Sequence, residues 1–191
     1  MAFAATAAHS AVYGAPGPEL SVEYAHYSAC RRAPSFDPLD GTSPYDMLAA
    51  LENDGQPAEA AWPYLETLPM DISQYQPPQL SAHQLCKRHG DGILRFEEAI
   101  AELQNGWPVI FGIRLSPAFH YLRGTDVLNF DADLTPAGLH AVLAVGFHLR
   151  VADNVLLLRN SWGVKWGDGG HGHVSDQYLK PRTIFMGVFR G

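Results

Sequence analysis

Residues 138–167, GLHAVLAVGFHLRVADNVLLLRNSWGVKWG, decide how the rest of the chain is read. His140 opens one apolar run, AVLAVGF, and a second run from Val155 to Leu158 leads into Asn160. Between them Val151-Ala152-Asp153-Asn154 has the composition of a turn. An antiparallel hairpin of this length returns its ends to one place, so the spacing predicts His140 and Asn160 side by side. A carboxamide beside an imidazole accepts one ring N–H and fixes the tautomer, leaving the other nitrogen to take a proton. Trp162 and Trp166 follow directly, and rings of that size suit keeping water off such a bond.

GLHAVLAVGF followed by RNSWGVKWGDGGHG resembles the papain-like cysteine peptidases of the C1 family. Their C-terminal half carries a histidine at the head of a strand and an Asn-Ser-Trp-Gly…Trp-Gly block. Two separated motifs, in order and at hairpin spacing, make the resemblance specific. The competing reading of the same residues is a core histidine and a polar turn of an unrelated β-protein.

Length and composition agree with a globular chain. The 191 residues suit one large domain or two small lobes around a shared cleft. Hydrophobic residues at 47% with charged residues at 17% leave enough apolar surface for a sizeable core. A net charge of −7 argues against nucleic acid and against an anionic membrane surface as partners. No apolar run approaches the roughly 18 residues that span a bilayer. The alanine-rich start, Met1 to Ala8, lacks a basic region and does not read as a signal peptide. Cys30 and Cys86 are too few for a multi-bridge framework, although one disulfide stays open. A reducing cytoplasm is the expectation, with secretion the alternative if a segment lies upstream.

Taken in order, residues 2–13 are small, apolar and helix-forming, and Gly14 ends them. AFAATAA resembles the family segment Cys-Trp-Ala-Phe, in which the nucleophilic cysteine starts the central helix. Aligned on Ala2-Phe3, Met1 falls one residue after the nucleophile, so that cysteine and the upstream oxyanion-hole glutamine are not in this sequence. Leu20-Ser21 to Arg32 reads as a second helix capped by Ser21, resembling the family's Leu-Ser…Cys helix with Cys30 as a structural cysteine. Ser43-Pro44-Tyr45-Asp46 caps a third, with Met47, Leu48 and Leu51 inward and Gly55 at its close. Trp62-Pro63-Tyr64 resembles the Tyr-Pro-Tyr that follows it in the family. Residues 66–92 read as a long surface excursion with one helical turn around His83 to Lys87. Phe96 to Gln104 is an amphipathic helix, Trp107 to Leu115 a buried strand, and Ser116 to Ala137 a loop. His171 to Val174 and Ile184 to Phe189 are the last strands.

The resemblance implies an α+β papain-like cysteine proteinase fold. A helical lobe over 1–100 and an antiparallel, barrel-like β-lobe over 101–191 carrying His140 and Asn160 form one domain, with the substrate cleft between them. Gly41 and Thr42 line that cleft on the helical side and Leu139 on the other. In the family a thiolate attacks the peptide carbonyl, the imidazolium protonates the leaving amine, and the asparagine orients the ring. His140 and Asn160 fit the last two roles, supported by Trp162 and Trp166. Nothing in the chain fits the first: Cys30 is structural, Cys86 sits in the excursion, and Ser10 is over two turns into its helix.

Peptide or protein substrates are implied, with no cofactor and no metal. His171 and His173 alternate on a strand but lack further ligands, and Asp126, Asp131 and Asp133 read as a solvated acidic face. Two accounts of the missing thiol stand: a sequence shortened at its start, or a catalytically dead homologue that binds peptides or proteins through the same cleft. A structural or assembly subunit is the third alternative. As written, the chain is expected to be close to inert.

Overall fold

The computed structural model describes residues 1–14, 16–131, 137–151 and 153–191. Asp133 of the acidic loop and Ala152 of the expected turn therefore lie outside the described residues. The chain forms two compact units, Met1–Gly90 with Arg190–Gly191, and Asp91–Phe189.

The first unit is built on three helices, α1 (Ala2–Ala11), α2 (Val22–Cys30) and α3 (Pro44–Asn53). Small side chains let α1 bury several faces at once, with Ala5, Ala8 and His9 at the limit of exclusion from water. The Ser21 hydroxyl accepts the Tyr24 N–H at 3.0 Å and the Ser43 hydroxyl that of Asp46 at 3.3 Å, so both caps form where the sequence places them. Buried Gln56 ties α1 to the start of α2. Its carbonyl accepts from His9 Nδ1 at 2.8 Å, and its amide donates to Thr6 Oγ1 and the Ser21 carbonyl at 2.8 and 2.9 Å. The excursion after Trp62 holds short 3-10 turns at Ile72–Gln74 and Ala82–Gln84 and returns through backbone pairing of Cys86 with Gln56. Both cysteines are free thiols.

The rest of the chain runs β1 (Gly90–Gly92), α4 (Phe96–Gln104), β2 (Val109–Arg114), α5 (Pro117–His120), β3 (Val127–Leu128), β4 (Leu139–Leu149), β5 (Asn154–Arg159), β6 (His171–Ser175), α6 (Asp176–Leu179) and β7 (Thr183–Phe189). The strands form one sheet in the order β1-β7-β2-β4-β5-β6-β3. The β2–β4, β4–β5, β5–β6 and β2–β7 pairs are antiparallel, whereas β3 joins β6 in parallel. Helix α4, which the sequence reading placed at the close of the helical lobe, buries Phe96, Ala99 and Leu103 in the same core as the strands. The stretch 116–137, read as a loop, carries α5 and β3. A four-residue helix and a two-residue strand are too short to leave a periodic signal. No helix among the described residues is long and apolar enough to cross a membrane.

The β4–β5 hairpin fixes the site. His148 faces Val155 and Gly146 faces Leu157, but the register shifts at Val145, so that Ala144 faces Leu158 and Leu143 faces Arg159. Val145 is the extra residue of a β-bulge.

Candidate active site

Strand β4 presents His140 one residue after its start, opposite Ile113 of β2, and Asn160 follows the last residue of β5. The two meet as the spacing predicts: His140 Nε2 lies 2.7 Å from Asn160 Oδ1. The Ser161 N–H reaches the same Asn160 atom at 2.8 Å. Convergence of a second N–H on that atom identifies it as the carbonyl oxygen, which can only accept. The imidazole therefore carries its hydrogen on Nε2 in the neutral state, and Nδ1 keeps a lone pair. The Asn160 Nδ2 is buried and finds no partner among the described residues. Its backbone is pinned by a 2.9 Å bond from Asn160 N–H to the Gly170 carbonyl.

Electrostatics follow from half-burial. Desolvation of the charged ring lowers the His140 pKa below the ordinary histidine value, the bond to Asn160 raises it, and the positive charge of the chain's amino group and, less strongly, of His120 lowers it again. Burial is the largest of these effects, so the resting state of His140 is the neutral ring.

Aromatic rings enclose the pair. Trp162 lies against His140 with centroids 4.5 Å apart and planes inclined by 31°. Trp166 does not touch the histidine ring in that way. It stands edge-on to Trp162 at 6.1 Å and lies beside fully buried Phe119 at 5.0 Å. Its indole N–H donates to the Phe119 carbonyl at 2.9 Å. Shielding thus falls to Trp162 and anchoring to Trp166. Gly172 makes room for that anchor, because a Cβ there would come within 2.5 Å of the Trp166 ring and 2.6 Å of Leu122. Gly167, at φ 58°, has the left-handed backbone that favours glycine.

Leu139 begins β4 and is exposed, paired with Arg114. Gly41 is exposed and Thr42 half-buried in the stretch before α3. His171 and His173 sit on β6, and no group of three or more His, Cys, Asp or Glu side chains gathers among the described residues. The sequence reading passed over Phe119 and His120. The Ser116-Pro117 pair that starts α5 was the available sign of order in that stretch.

Two thiols exist, both in the first unit. Burial pushes the Cys30 thiol up to about 11, with Asp37 and Asp40 adding to the rise. Cys30 therefore holds almost no thiolate at neutral pH. Cys86 is half-buried, and its backbone pairs with Gln56.

Comparison with known proteins bears on the same features. The profile of the papain family cysteine proteases matches residues 1–181. Cathepsin S of Bos taurus is 33% identical over 123 residues, covering 63% of this chain and 35% of its own. Peptidase 1 of Dermatophagoides farinae is 31% identical over 88 residues, covering 46% of this chain and 27% of its own. The matches thus span about a third of these relatives or less. Among solved structures, the digestive procathepsin L 3 of Tenebrio molitor larval midgut superposes on 100% of this chain and 62% of its own, with a TM-score of 0.76 at 18% identity. That likeness shows the papain-like α+β fold.

Proposed function

Because the chain belongs to the papain family of cysteine proteases, we propose that it carries the proton-handling half of a site that processes peptide bonds. His140 is the proton carrier, Asn160 holds its ring, and Trp162 shields the bond between them. The observation that carries this reading is the 2.7 Å bond from His140 Nε2 to Asn160 Oδ1, lying against an indole. With Nε2 engaged, Nδ1 is the nitrogen that takes a thiol proton and later delivers it to the leaving amine. The carboxamide keeps the ring oriented through both steps. The substrates are peptides or proteins, as family membership implies.

Turnover also needs a thiolate. Residues 91–189 contain no cysteine, Cys30 stays protonated in its buried position, and Cys86 lies in the excursion of the first unit, its backbone paired with Gln56. A polypeptide of these 191 residues alone is accordingly expected to bind peptide and leave it uncut, since cleavage without a thiolate is slower by several orders of magnitude. Fluorogenic peptide pools, assayed with and without prior alkylation, test the reading. Saturable binding without product is expected, weakened by His140→Trp or Trp162→Ala. Alkylation-sensitive hydrolysis would overturn the inert state, and binding indifferent to both substitutions would overturn the site.

A further inference from the structure

His120 takes no part in the His140–Asn160 bond, yet it shares an indole with it. The His120 and Trp162 rings stack with centroids 4.8 Å apart and planes inclined by only 10°. Trp162 in turn lies against His140 at 4.5 Å. Two titratable imidazoles thus rest on one π-system.

The placement of His120 is built in by its neighbours. It closes α5, whose Phe119 is fully buried and packs against Trp162 at 5.7 Å, Trp166 at 5.0 Å and Tyr178 at 6.2 Å. The Trp166 indole N–H holds the Phe119 carbonyl, and the Arg123 guanidinium reaches the His120 carbonyl at 3.3 Å. An exposed side chain on such a constrained backbone has few directions open to it, and it lies flat on Trp162.

We propose that His120 is a positioning and tuning residue for His140: when His120 is protonated, it opposes protonation of His140 through the shared Trp162 ring. Two physical effects act in the same direction. Like charges resting on one indole repel, which disfavours the protonated form of His140. In addition, a cation on an indole draws on the same quadrupole that would stabilise a second one. Imidazoles change charge between about pH 5 and 8, so the coupling operates where a peptidase histidine works. Asn160 and Trp162 are neutral. Arg123 beside α5, Arg114 at the end of β2 and Arg159 at the end of β5 carry positive charge on the surrounding elements, and titratable His171 of β6 sits opposite Arg159. His120 therefore supplies one part of the local field that varies with pH; the chain's amino group supplies another and acts on the His140 ring in the same sense. His120 extends the neutral, base-competent form of His140 toward acid.

The consequence for turnover rests on the proposed role of His140, but the coupling itself is read without turnover. Histidine resonances of the 191-residue chain are titrated by NMR in wild type, His120→Phe and His120→Ala, with His140 assigned through His140→Gln. Phenylalanine keeps the flat stack and removes the charge, and alanine removes both. The His140 midpoint is expected to rise in each variant. An unmoved midpoint in His120→Phe overturns the proposal, as does a rise confined to His120→Ala, which would mark a packing effect. Absence of peptide hydrolysis would leave this titration untouched, so the two readings fail separately.

Discussion

The Trp166 indole N–H donates to the Phe119 carbonyl across 47 residues of chain, at 2.9 Å and out of reach of solvent. That bond ties the Trp-Gly segment after β5 to the short helix after β2, and the rings around His140 are assembled on the junction. Trp166→Phe keeps most of the apolar volume and deletes the donor. The orphaned carbonyl should cost about 1–3 kcal/mol, read as a lower urea midpoint, with Trp162 emission changed because its platform loosens. Unchanged stability would mean that the bond contributes nothing.

Asn160 acts on His140 in a direction that can be inverted. Its carbonyl stabilises the protonated ring against burial, so Asn160→Ala should drive the His140 pKa further down. Asn160→Asp places a negative charge at the same position and should raise it. Shifts of the same sign in both variants, followed by NMR, would contradict this account.

Stability should fall on acidification, and the sign follows from burial. His9 and His140 both hold protons less readily in the folded chain than in the unfolded one, for which the ordinary value is 6.5. Below that value the unfolded state binds more protons, so stability declines as pH falls from there through the lowered native values. Above it the contribution is complete. Urea midpoints near pH 7.5 and near pH 5 check the slope, and His140→Gln should flatten part of it. A slope equal to wild type in that variant would remove His140 from the explanation.

The thiols should be chemically unequal. With its pKa near 11, Cys30 offers about one thiolate in a thousand molecules at pH 8, and it is buried as well. Half-buried Cys86 should take iodoacetamide first in the native protein, and the difference should vanish in denaturant. Peptide mass mapping that finds Cys30 modified equally fast without denaturant would refute the assignment.

What could be read from sequence was whatever local rules control. Hairpin length brought His140 to Asn160, and Ser21 and Ser43 announced their helices because a hydroxyl at an N-cap bonds a backbone N–H three residues on. His120 escaped because nothing near residue 120 encodes its partner. Trp162 reaches it only after the sheet folds, and four residues of helix carry no period. The parallel β3–β6 contact escaped for the same reason. Trp162 and Trp166, read together as shields, divide the work because one contacts the imidazole and the other the backbone beneath it. Residues 91–95 set the placement of α4, since Ile93 joins the β7 ladder through its N–H to Met186 and carries the following helix onto the sheet.

The spare residue at Val145 makes the hairpin a vernier. Between the turn and Val145, partners keep one offset, and from Ala144 toward His140 they keep another. Residues gained or lost in the turn change only how far the hairpin protrudes. A single deletion between Val145 and His140 would instead rotate the imidazole to the opposite side of the strand and leave Asn160 facing a different neighbour. Lineages that vary this hairpin should therefore do so at its tip, with the span from the bulge to His140 constant in length.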